Sequence, residues 1–301
     1  MFLGTTFSHR QIQHLGLDIT PSLEKLLEIG FDVIRICVYW DEIEIASETW
    51  NFAPLERILT ACQEHNQKVI ICLGAKNPRW PEFYIPQHLP QDIHHLETQH
   101  ALLQFLETTI SRIKKYQNIL LWQVENEPLD EVGSQKQVLP LQLLQQEVEI
   151  IRNNDNRNIL LTVWGNQLMQ RDFLPLLMPY ADVLGIDLYY QQFIWSKAGI
   201  DIYVGPKDND TTLKKYLRTI PKPVWITELQ AEPWEKDEKK YRSRNPKSMS
   251  PQKLQQFFQR ATSLDVPSIL FWGYEYWLWK AEQGDSRYLD TIKEIIQQKR
   301  L

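Results

Sequence analysis

The sequence predicts an α/β protein, a single (β/α)8 barrel spanning residues 1–301, and three observations carry that reading. Eight short apolar runs recur along the chain, each followed by a segment with helical spacing. Within the runs polar residues do not alternate with apolar ones, as expected of parallel strands covered on both faces. No strand is followed by Gly-x-Gly-x-x-Gly or a phosphate loop, and eleven glycines in all leave little for a nucleotide cradle, which disfavours an open doubly wound sheet.

The elements follow in order. The predicted strands are Phe2–Phe7, Asp32–Trp40, Lys68–Leu73, Ile119–Val124, Asn158–Val163, Ala181–Tyr189, Pro223–Thr227 and Pro267–Trp272. The first helix starts at Thr20-Pro21, carries Leu23, Leu26 and Leu27 on one face, and stops at Gly30. The other helices are expected at Pro54–Asn66, His94–Tyr116, Leu139–Asn153, near Phe173–Met178, Thr211–Ile220, after the Ser250-Pro251 cap to Leu264, and Tyr288–Gln297. Two connections are too long for simple loops, Tyr190–Asp210 and Leu229–Met249. Both leave the strands' C-terminal rim, where barrel active sites are built, so they are read as cleft walls rather than plain insertions.

Composition narrows the function. Apolar residues are 43% and charged residues 24%, with a net charge of −5, an ordinary globular mix with no nucleic-acid signature. Cys37, Cys62 and Cys72 show no metal spacing, and those inside strands read as buried free thiols of a reducing compartment. The first eight residues do not resemble a signal peptide, and no apolar run is long enough to cross a membrane. A cytoplasmic protein is expected; the oligomeric state stays open. His94, His95 and His100 lack the spacing of a metal pair and read as a solvated helix face, so no metal or other cofactor is expected.

The chemistry points to two glutamates. The fourth strand breaks into Glu125-Asn126-Glu127-Pro128, and proline cannot continue a central strand. The seventh ends at Thr227-Glu228. Two strand-terminal carboxyls are what glycoside cleavage requires, one to protonate the leaving oxygen and one to attack carbon or activate water. Arg35, a charge inside the apolar second strand, needs a carboxylate partner. Either it forms a salt bridge at the barrel floor, or it holds Glu228 ionised and aimed. Tyr189 competes with Tyr190 for the inward place at the end of strand six. Eleven tryptophans suit a sugar cleft as well as a core. Trp80, Trp195, Trp234 and Trp277 are placed after barrel strands, and at least two of them are expected to stack on sugar rings.

With Arg35, Asn126-Glu127-Pro128, Tyr189, Thr227-Glu228 and Trp272 on strand eight, the chain resembles the clan A glycoside hydrolases, retaining (β/α)8 enzymes, over nearly its whole length. The resemblance implies Glu127 as acid/base, Asn126 as the ligand of the sugar 2-hydroxyl and Glu228 as nucleophile. Glu125 is then a neighbour without a catalytic role. The family-5 pattern fits less well, because its histidines after strand three and on strand six are missing, Lys76–Arg79 and Asp187 standing near those places. The loop Pro78-Arg-Trp-Pro81 looks closer to the family-42 β-galactosidases. The expected function is hydrolysis of a β-linked carbohydrate. A transglycosylase using the same site, or a silent sugar-binding barrel, are the alternatives.

Overall fold

A computed structural model describes residues 1–131, 136–171, 173–197 and 199–300. Eight parallel strands close into a barrel: β1 (Phe2–Phe7), β2 (Val33–Cys37), β3 (Lys68–Leu73), β4 (Ile119–Val124), β5 (Asn158–Trp164), β6 (Val183–Leu188), β7 (Val224–Gln230) and β8 (Ser268–Trp272). Each strand lies beside its neighbours in sequence, and β1 closes the circle on β8, with Phe2 opposite Ser268 and Thr5 opposite Phe271. The unalternating runs have their physical reason here. Every residue of β2, β6, β7 and β8 is buried.

The chain packs as two compact units. One comprises Met1–Asp32, Trp164–Asp172 and Ile186–Leu301. Its helix Ile19–Ile29 buries Leu23, Leu26 and Leu27 and ends at Gly30, whose φ of 85° is a left-handed stop. Its helix Pro251–Ser263 is capped by Ser250, which accepts Lys253 N at 3.2 Å. The helix Arg287–Arg300 follows. The other unit comprises Val33–Val163 and Phe173–Gly185 and carries helices Ala53–Glu64, Leu96–Ile113 and Leu141–Asn154.

Several elements depart from the sequence expectation. The helix expected from Thr20-Pro21 starts at Ile19 with Asp18 as N-cap, and a short helix, His9–His14, precedes it. Residues within the connection after β6 pair as an antiparallel hairpin, Gln192–Lys197 with Ile200–Val204, because its β-prone side chains meet across a turn holding Gly199 at φ 78°. Leu229 and Gln230 belong to β7 rather than to a loop. Trp277, expected on a loop or strand end, lies in an unforeseen helix, Tyr274–Glu282. The three cysteines are buried and free, and burial pushes the Cys62 thiol up to about 12. His94, His95 and His100 are exposed. Among the described residues no helix is long and apolar enough to cross a membrane.

Candidate active site

In the unit carrying β2–β4, the end of β4 is held from three sides. Glu125 and Glu127 both adopt left-handed backbone, φ 58° and 46°, with Asn126 between them. Such conformations cost of order 1–3 kcal/mol each and persist only where surroundings impose them. Those surroundings are specific: Asn126 N donates to Lys76 O at 2.8 Å, and Glu127 N donates to Thr162 Oγ1 at 2.9 Å. The buried Lys76 ammonium donates to Glu127 O at 2.6 Å and Asp130 O at 3.0 Å. Beneath them Arg35, fully buried on β2, donates to Gln123 Oε1 at 3.2 Å. Gln123 Nε2 in turn donates to Glu125 O at 3.0 Å and Asn126 Oδ1 at 3.2 Å. This chain of bonds ends at the Asn126 side chain, and Asn126 and Glu127 are both largely buried.

In the other unit Glu228 stands within β7, not at its end. From the pair Ile226–Ile269 to the pair Leu229–Phe271, β7 advances one residue more than β8. That bulge falls at Thr227-Glu228, and bulges re-aim side chains beside active sites. Thr227 Oγ1 donates to Asp187 Oδ1 at 2.6 Å, and the Tyr189 hydroxyl donates to Glu228 Oε2. Tyr189, not Tyr190, is therefore the inward residue after β6. Its backbone is pinned by Asn166, which accepts Tyr189 N at 2.9 Å and donates to Tyr189 O at 2.6 Å. Tyr190 instead packs on Phe257, its ring 3.9 Å beneath the Arg260 guanidinium.

Two indoles flank Tyr189. Trp164 stacks on it at 6.1 Å, and Trp234 meets it edge-on at 5.0 Å and Trp164 at 6.0 Å. Trp234 is 38% exposed, Trp195 48% and Trp80 71%. Trp277 is a correction: it is fully buried and donates Nε1 to Ala231 O at 2.7 Å, so it belongs to the core. Trp272 is also buried, as a strand residue. Sequence reasoning missed Trp164, Asn166 and Thr162. The same strand-end rule that singled out Glu127 points to the first two, at the end of β5. Among the described residues no three His, Cys, Asp or Glu side chains gather as metal ligands.

Residues 9–261 match the family model described as Cellulase (glycosyl hydrolase family 5). No curated protein matches the chain. A GH5_18 protein of Bifidobacterium longum, solved as a glutamate-to-alanine variant with Manβ1-4GlcNAc, is 14% identical, with a TM-score of 0.68, over 100% of this chain and 78% of that one. A GH5_18 protein of Streptomyces cattleya, again a glutamate-to-alanine variant with the same sugar, gives 14% and 0.64 over 90% and 70%. A family 39 glycoside hydrolase of Bacteroides cellulosilyticus gives 17% and 0.57; there the match spans 90% of this chain and only 55% of that one. At such identities the solved structures speak for the fold. Of the two families the sequence resembles, the family-model match is to family 5, and by it the chain belongs to glycosyl hydrolase family 5 and is a glycoside hydrolase.

Proposed function

We propose that the chain is a retaining β-glycoside hydrolase acting on β-linked oligo- or polysaccharides by double displacement. The observation that carries this is the pair of buried glutamates, each on or just after a barrel strand and each fixed by polar neighbours through its backbone or its carboxyl. Glu127 protonates the glycosidic oxygen while the Glu228 carboxylate attacks the anomeric carbon, and the C–O bond to the leaving group breaks. Glu127, now ionised, takes a proton from water as that water displaces Glu228. The Tyr189 hydroxyl orients the Glu228 carboxylate. Asn126, its Oδ1 engaged by Gln123, keeps its amide N–H groups for the sugar 2-hydroxyl. Trp80, Trp195 and Trp234 offer apolar faces to sugar rings. The two GH5_18 proteins bind a β-linked disaccharide, which favours this linkage here.

Retention places the two carboxyls about 5–5.5 Å apart. Glu228→Ala should lose turnover by at least about a thousandfold, and azide should restore part of it by attacking the vacant face. Glu127→Ala should keep activity on aryl glycosides with good leaving groups and lose about 10²–10⁴-fold on poor ones. If NMR of the first-formed product shows the inverted anomer, or if Glu125→Ala reproduces the leaving-group pattern while Glu127→Ala does not, the assignment fails.

A further inference from the structure

Glu125 carries a carboxyl for which the double displacement has no use. It is fully buried. Its carboxylate accepts Ala75 N at 2.8 Å and the adjacent Lys76 N, so two backbone donors of the loop after β3 converge on it. Gly74, at φ 135°, makes the room: a Cβ there would stand 2.3 Å from Glu125 Cδ. Lys76 is the residue whose carbonyl accepts Asn126 N and whose ammonium holds Glu127 O. The Glu125 carboxylate thus clamps the strap that positions Asn126 and Glu127.

Glu147, on helix Leu141–Asn154, is also fully buried, and its carboxyl lies within hydrogen-bonding reach of Glu125. Among the described residues no other group reaches either Glu147 oxygen. Two carboxylates in contact and out of water cannot both ionise, because their repulsion adds to the cost of burying each charge. Backbone N–H groups favour the ionised form on Glu125, which leaves the proton to Glu147. We propose that Glu147 is a positioning residue: protonated, it donates to the Glu125 carboxylate, and this pair locks Lys76 against the peptide bearing Asn126 and Glu127.

The kinetic consequence rests on Glu127 as acid/base, whereas the shared proton is independent of that reading. Burial, opposed by the bond with Glu147, the two backbone donors and the Lys76 charge, pushes Glu125 up to about 7. Burial first, and the Glu125 charge next, raises Glu147 well above the ordinary carboxyl range. The charged groups that face the pair are Lys76, from the loop after β3, and beyond it Glu82, 3.7 Å from the ammonium.

A carboxyl raised in the folded state binds a proton that the unfolded chain has released. Its stabilisation is complete below the unfolded value of 4.5 and is lost as pH rises through the folded value. Glu147→Gln supplies a neutral amide donor that cannot titrate. It should flatten the fall of Tm as pH rises above 4.5 and keep kcat within about twofold on poor-leaving-group aryl glycosides. Glu147→Leu removes the donor. It should lower kcat about tenfold or more on those substrates and much less on good ones, with KM nearly unchanged, since small misplacement of a catalytic group is costly. A Tm–pH slope in Glu147→Gln identical to the wild type would overturn the shared proton, whatever the catalytic activity and even if Glu147→Leu fails to fold. A flattened slope with unchanged kinetics in Glu147→Leu would overturn the positioning role while leaving the double-displacement reading intact. Failure of that reading shows separately, as a Glu127→Ala variant indifferent to leaving group.

Discussion

Trp277 and Trp234 hold similar places in the sequence, each following a barrel strand, and their surroundings give them unlike work. Trp277 is sealed in the core with its indole N–H satisfied by Ala231 O. Trp277→Ala should therefore lower stability by about 3–5 kcal/mol, read as a drop in Tm, because it leaves a large cavity and an unpaired carbonyl. Trp234 is partly exposed, with its backbone N–H held by Ser248 Oγ at 2.8 Å and its ring against Tyr189. Trp234→Ala should leave Tm within a few degrees and raise KM about five- to tenfold, more than it lowers kcat. Steady-state kinetics beside thermal unfolding separate the two outcomes. If Trp234→Ala leaves KM unmoved, its ring is not a sugar platform.

At the scale of elements, the bulge in β7 is the feature on which the site turns. An extra residue in a strand reverses which side chains face the barrel interior beyond it, so Glu228 can follow buried Thr227 without strict alternation. The Thr227 hydroxyl bonded to Asp187 ties the bulge to β6. Thr227→Val keeps shape but strips a donor from a buried carboxylate, a loss of about 1–3 kcal/mol. Thermal unfolding should show the loss, and kcat should fall with it because Glu228 is the adjacent residue. Retention of full stability in that variant would mean that Asp187 relies on other partners.

For the whole molecule, closure is what makes eight short strands a protein. β1 pairs with β8 from Phe2 to Thr5; Thr5 Oγ1 also donates to Phe271 O at 2.8 Å. Ser8 N donates to Glu275 Oε1 at 2.6 Å, and Leu3 N to Asp32 Oδ2 at 2.7 Å. Removing residues 1–7 would expose the edge of β8 and uncover core side chains, and an open parallel edge in apolar surroundings invites aggregation. Such a truncation should lose cooperative unfolding by circular dichroism and elute as aggregate in size-exclusion chromatography. A monomeric, cooperatively melting product would show that closure through β1 is dispensable.

The barrel was legible in the residues themselves, and so was the place of Glu127 just after β4, whereas Glu228, read as following the seventh strand, lies within it. Parallel strands covered on both faces must be continuous apolar runs, and Asn126-Glu127-Pro128 and Thr227-Glu228 are where two of those runs admit polar groups. These are local patterns, carried by neighbours in sequence. What only tertiary structure decided are meetings between elements. Tyr189 rather than Tyr190 faces Glu228 because Asn166, on a different segment, pins the Tyr189 backbone. Trp277 lies in the core because β7 and a helix after β8 bring Ala231 O to its indole. Glu125 and Glu147 meet because helix Leu141–Asn154 turns one particular carboxyl inward against the end of β4. Periodicity specifies which face of an element is buried; register and packing angle decide which side chain waits on the other side.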